Sequence, residues 1–303
     1  MGLKQRNILF MLSLFGLVCA ADRTLYILHT NNTNSALENC YCADHPYGAI
    51  EKRAAYIKTW LVEHPNTIIV DSGDLISLTK RSIKDSLASL AYSTIPYDAI
   101  LPGDQELIRG QEYLTELLKR TAAPIVNTNI RVPKIKNSQP VRIIERGGVR
   151  VAILGVVGPA AIKYYPEAVR ATVALEDVKT ALTRNLKGLE NKADIIVLLT
   201  HQGYDYDVKL AANLTGVDLI IGAHSQTSLK TAQEINAILV AQAGKEGYYI
   251  GIIEVQLDEE MQISSKSGYL VPMTLDLPDH PRVMELIKEY EQKTGIVNRR
   301  KRK

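Results

Sequence analysis

Phenylalanine is almost missing from this chain of 303 residues. Its two copies, Phe10 and Phe15, both lie at the N-terminal end, and Trp60 is the single tryptophan. The 46% hydrophobic content therefore rests on aliphatic residues and 15 tyrosines. Cysteine is scarce too, with three copies, which excludes a disulfide-rich scaffold. Charge of one sign is lacking: 36 basic residues face 33 acidic ones. That balance excludes a protein that binds nucleic acid through bulk charge. The apolar run Ile8–Val18 falls short of the ~20 residues a membrane-spanning helix needs.

That short run has another use. Lys4 and Arg6 precede it and Val18-Cys19-Ala20 closes it with small residues, the pattern of an export signal cleaved after Ala20. The expectation is an exported protein, periplasmic or extracellular, with no transmembrane segment in the mature chain. Loss of residues 1–20 removes two basic residues and leaves a net charge of +1, from 34 basic and 33 acidic residues. Five of those basics form the tail Arg299-Arg300-Lys301-Arg302-Lys303. We read three segments: a signal over 1–20, one domain over 21–294 and a basic tail over 295–303. Cys40 and Cys42 remain in the mature chain, with His45 close by. A local disulfide or redox pair, a soft-metal site with His45 and free thiols all stay open.

Strand and helix signals alternate along the domain. Apolar strands are expected at Leu25–His29, Thr67–Asp71, Asp194–Leu199 and Val217–Ile221, with a hairpin around Gly147-Gly148. Helical spacing marks Ile50–Leu61, Ile83–Ser93, Glu112–Arg120, Leu175–Leu189 and Pro281–Gln292. Late strands, from Ala237 and Tyr248 and again from Tyr269, follow one another without helices. This predicts an α/β fold of two packed sheets with helices outside.

Short polar segments follow several of these strands. They are His29-Thr30-Asn31-Asn32-Thr33-Asn34, Asp71-Ser72-Gly73-Asp74, Gly103-Asp104-Gln105-Glu106, His201-Gln202-Gly203 and Gly222-Ala223-His224-Ser225-Gln226. Loops at the C-terminal ends of strands gather in one crevice. Asp74, Asp104, His201 and His224 are then expected to meet, a donor set suited to a divalent transition metal. Gly73, Gly103 and Gly222 are expected to permit the turns. Taken one at a time, the aspartates also suit helix caps and the histidines a packed core.

In order and spacing these segments resemble the calcineurin-like metallophosphoesterases. The likeness is to the catalytic domain of secreted 5′-nucleotidases and UDP-sugar hydrolases, over about residues 25–292. Val240-Ala241-Gln242-Ala243-Gly244 and Asn127-Thr128-Asn129-Ile130 add to it. The resemblance implies a four-layer α-β-β-α sandwich of two mixed sheets and hydrolysis of phosphate esters. It also implies two metals. The family's Asp-x-His reads Asn32 and Asn34 here, and the His of its Gly-Asn-His-Glu reads Gln105. The last His of its Gly-His-x-His reads Gln226. One metal would be held by Asn32, Asn34, Asp74 and Gln226, and of these only Asp74 is a strong ligand. The other would be held by Asp74, Asp104, His201 and His224, all competent. The implied cofactor is one divalent ion (zinc, manganese or iron). Gln105 stands where the family's catalytic His would be, so activity is expected to be altered or reduced.

Three functions remain in view: a one-metal hydrolase of small phosphorylated molecules, a non-catalytic metal- or phosphate-binding protein, and a redox or structural partner using Cys40 and Cys42. Family members usually carry a further C-terminal domain that recognises the base. This sequence ends soon after the last helix, so nucleotide specificity is not expected from it.

Overall fold

Val149–Val157 and Ile195–His201 are apolar at nearly every position because both faces of these strands are covered. Val151, Ile153, Val197 and Leu199 turn inward to meet Leu25 and Ile27 in one core. The alternate residues Ala152, Leu154, Ile196 and Leu198 turn outward onto Leu182 and Ala211, which come from helices. Each fully buried valine, leucine or isoleucine among them contributes about 1.5–3 kcal/mol of transfer free energy.

The fold is that of a computed structural model, which describes residues 23–39 and 46–297. It has two large mixed sheets with helices packed against them. The seven-stranded sheet runs Ile263–Pro272, Tyr249–Leu257, Arg23–Thr30, Thr67–Asp71, Ala99–Ile100, Ile125–Val126, Ser138–Gln139. The six-stranded sheet runs Gln233–Ile235, Ile238–Ala241, Leu219–Ile221, Ile195–His201, Val149–Val157, Val141–Arg146. Central pairs in both are parallel, as Arg23–Thr30 with Thr67–Asp71 and Ile195–His201 with Leu219–Ile221. Their C-terminal ends therefore open on the same side of each sheet. This is the expected α-β-β-α architecture.

Helix Pro281–Thr294 shows how local sequence sets the packing. Pro281 opens it, Val283, Leu286 and Ile287 recur at helical spacing and are buried, and Gly295 closes it at φ +68°. The N–H of Gly295 donates to the Glu291 carbonyl.

Three local expectations change. The helix expected over 175–189 is shorter, Val178–Leu186, because Asp177 caps it by accepting from the Thr180 N–H. Leu175 instead pairs with Ile130 in a small ladder. The strand expected from Tyr269 begins at Ile263; its first half alternates polar residues on a partly exposed face. The segment after His201, expected as loop, is the helix Tyr204–Ala211. The signal segment 1–20, Cys40, Cys42, His45 and the tail beyond residue 297 lie outside the described residues.

Candidate metal centre

Asp74 follows Thr67–Asp71, and Asp104 opens the short helix Asp104–Leu107 after Ala99–Ile100. His201 ends Ile195–His201, and His224 follows Leu219–Ile221. The first sheet thus supplies two carboxylates and the second sheet two imidazoles. One ligand atom from each of the four residues lies within 4.8 Å of all the others. His201 Nε2 is 2.8 Å from Asp104 Oδ1 and 3.3 Å from Asp74 Oδ1. His224 Nδ1 is 3.0 Å from the same Asp104 oxygen.

The donor set fits a divalent cation. His201 donates from Nδ1 to the Ser72 carbonyl at 2.7 Å, which leaves Nε2 facing the carboxylates. Ser72 Oγ in turn donates to the Ile221 carbonyl at 2.8 Å and ties the strand ends of the two sheets together. Tyr165 OH donates to Asp104 Oδ2 at 2.5 Å, holding that carboxylate with Oδ1 toward the histidines. Burial opposes charge on His201, but Asp74 and Asp104 outweigh it and raise its pKa well above the ordinary imidazole range. Burial likewise works against ionised Asp104, yet its bonds to His201 and His224 hold the carboxyl well below its usual range.

The backbone here is bent to purpose. Asn32, Asn34, Asp74, His224 and Gln226 all have positive φ, between 47° and 74°. Such positions cost free energy and concentrate at functional sites. Gly73, at φ +96°, meets the expected turn requirement. Gly103 does not: its φ is −88°, and glycine is needed because a Cβ would lie 2.4 Å from Asp74 Oδ1 and 2.5 Å from Asp74 N. Glu106 fixes this crossing by accepting from the N–H groups of Gly103, Asp74 and Ile76. Burial and the nearby Asp74 charge push the Glu106 carboxyl up to about 8, against the pull of those donors.

The other oxygen of Asp74 meets amides. Asp74 Oδ2 accepts from Asn32 Nδ2 at 2.8 Å and from Gln105 Nε2 at 2.7 Å. Gln105 Nε2 also donates to Asn34 Oδ1 at 3.1 Å. Asn32 is fixed in its orientation, because its Oδ1 accepts from Asn31 Nδ2 and from the His224 N–H. N–H donors thus point where a second cation would need lone pairs. Asn34, Gln105 and Gln226 line an adjoining cavity of about 570 Å³, with Gln226 exposed on its wall and Asn32 buried behind it. This side does not fit a metal.

The remaining described histidines lie away from the centre. His29 is buried against Gly251, and burial lowers its pKa to about 3. His64 packs on Trp60 and Tyr26. His280 stands just before the last helix and makes no side-chain cap bond. Tyr204 and Tyr206, which follow His201, line a cavity beside His224, but Asp207 does not. The helix turns Asp207 inward, where it accepts from Gln202 Nε2 and burial raises its pKa to about 7. Two participants escaped sequence reasoning. Asn31 was visible in the run of amides after His29. Tyr165 carried no signal, since it joins two short helices far from every motif.

Comparisons with known proteins bear on the fold. No family model matches the chain. Human 5′-nucleotidase is 26% identical over 304 residues, covering 89% of this chain and 53% of the relative. The 5′-nucleotidase precursor from Thermus thermophilus superposes with a TM-score of 0.77 at 25% identity, over 90% of this chain and 59% of that one. The domain is similar to the metallophosphoesterase domain of 5′-nucleotidases. The calcineurin-like phosphoesterase YfkN from Bacillus subtilis shares the fold at 21% identity, with a TM-score of 0.72 over 90% of this chain and 98% of that one. The chain spans about half the length of the curated relatives it matches. This family type implies a divalent metal, and the Asp74, Asp104, His201 and His224 cluster is a possible place for one.

Proposed function

We propose that the chain is an exported hydrolase of phosphate esters that works with one divalent transition metal and turns over slowly. One observation carries this reading: Asp74 faces His201 and the other ligand candidates through Oδ1, which also takes the Gln105 backbone N–H, and two side-chain amides through Oδ2. Asp74, Asp104, His201 and His224 would hold the ion. When bound, a divalent cation supplies Lewis acidity toward a phosphoryl oxygen and a template for the ester.

The protein's own groups do the rest. Ser72 sets the His201 tautomer and Tyr165 sets the Asp104 rotamer. Glu106 keeps the Asp74 and Gly103 turns in contact. Gln105 gives hydrogen bonds to Asp74 and Asn34 and has no acidic proton for a leaving group. Loss of a positioned acid costs ~10²–10⁴-fold in rate. Slow turnover is the direct consequence.

Elemental analysis of the mature protein after chelation and reloading tests the reading, together with phosphate release from AMP. About one ion per chain, with slow release that disappears in His201→Ala, is expected. Two tightly held ions would overturn it. One ion with no hydrolysis would select a second reading, a metal- or phosphate-binding protein, which the amide contacts to Asp74 favour. Export rests on the basic, apolar and small-residue pattern of residues 1–20, and N-terminal sequencing of secreted material checks it. The redox reading of Cys40 and Cys42 draws no support from the described residues.

A further inference from the structure

Two tyrosines stand out from the surface beside the centre. Tyr164 is 88% exposed and Tyr206 is 47% exposed. Both line one cavity of about 320 Å³, and His224, Ser225 and Gln202 line it too. His224 belongs to the four-residue cluster and Gln202 follows His201, so the cavity adjoins the ligand-bearing side of Asp74, away from the amides. Tyr204 also lines it and is held by its hydroxyl, which donates to Gln233 Oε1 at 2.5 Å. Lys163 Nζ lies 5.4 Å from the Tyr164 ring centre and Lys209 Nζ lies 5.5 Å from that of Tyr206. Exposed rings with nearby cations are a platform on which a flat aromatic group stacks.

The chemistry of the centre narrows the ligand further. With Gln105 unable to protonate a departing oxygen, an alkoxide such as a sugar hydroxyl leaves poorly. A phenolate leaves without that help, because its charge spreads into the ring. We propose that the substrates are phosphate monoesters of phenols, with the aryl group seated on Tyr164 and Tyr206. This rests on the hydrolase reading above. In the reaction the bond between phosphorus and the phenol oxygen breaks and the phenolate departs with the electron pair. Water oxygen forms the new bond to phosphorus and releases its proton to solvent. The phenolate then takes a proton from solvent.

The test uses the full mature chain loaded with zinc or manganese. Initial rates on phenyl phosphate, AMP and glycerol 2-phosphate separate an aryl leaving group from a base carried on an alkyl one. Phenyl phosphate is expected to be the best substrate. The Tyr164→Ala, Tyr206→Ala double variant should raise its KM on the order of 10-fold more than that of glycerol 2-phosphate. Equal kcat/KM for phenyl and glycerol esters, or an unchanged ratio in the double variant, would overturn the aryl subsite while leaving the hydrolase reading intact. Calorimetry with phenylphosphonate and methylphosphonate supplies a readout free of turnover. If no ester is hydrolysed yet phenylphosphonate binds tighter than methylphosphonate, and the double variant removes the difference, the subsite stands and the hydrolase reading falls. Equal binding of the two phosphonates would overturn the subsite.

Discussion

Asp74 divides the centre into two unlike halves. Through Oδ1 it meets His201 Nε2 at 3.3 Å, beside Asp104 and His224, and accepts the Gln105 backbone N–H at 3.2 Å. Through Oδ2 it meets Asn32 and Gln105, which spend their N–H groups on it. Asn32, Asp74, Asp104, Gln105 and His201 are buried, whereas His224 is partly exposed and Gln226 exposed. The difference lies in what each satisfies. In the amide half the Asn32 and Gln105 donors match the Asp74 oxygen they meet, and only Gln105 Oε1 is left buried without a partner among the described residues. The ligand half crowds anionic and imidazole groups whose mutual contacts a cation would replace. A site can thus lose a metal without losing its shape.

The strongest way to break this contrast is to rebuild the amide half. Asn32→Asp, Asn34→His, Gln105→His and Gln226→His together should add a second metal and raise turnover on AMP by ~10²–10⁴-fold, while single changes do little. Metal content and phosphate release on protein of matched folding decide it; a fourfold variant with one metal and unchanged rate would show that the amides are not what limits the chain. Next in size is His224→Ala, which leaves the buried His201 in place. Metal affinity should fall by more than about 100-fold, whereas Gln226→Ala should change it little. Competition with a chelating dye measures both.

A third experiment probes the scaffold that both halves share. Glu51 is buried at the start of helix Ile50–Glu63, and desolvation lifts its pKa from 4.5 to about 7. The folded state therefore binds its proton more tightly than the unfolded state. The stabilisation is fully present below about pH 4.5 and is lost as the pH rises through 7, a change of about 2 kcal/mol between pH 5 and pH 7. Denaturation midpoints across that range should flatten in Glu51→Gln. The smallest effect expected is that of Tyr165→Phe, which removes the donor on Asp104 Oδ2. Metal affinity should drop about 10-fold without a change in ion count. An unchanged affinity would show that Asp104 needs no such support.

Much of this was legible in the sequence. Apolar strands followed at once by Asp, His and Gly announced both the sheets and the crevice, because strand ends are where an α/β fold concentrates its loops. The four ligand candidates came together as expected. Helix Tyr204–Ala211 was missed because alternating tyrosine and aspartate hide its apolar period behind a polar one. The role of Gly103 was misread, since a close approach between chain segments leaves no mark on local sequence. Tyr165 shows the same limit for a side chain: its partner Asp104 lies 61 positions away.

The carboxylates and the imidazoles come from different sheets, and Asp104 and His201 are 97 positions apart in the chain. No fragment that folds only one sheet can assemble this cluster. The chain must first close a long loop, which slows the approach of its ends. Whatever cation the cluster takes would then reach a high-affinity state only after both sheets have docked. Cation uptake followed in real time during refolding would serve as a clock for the last long-range step.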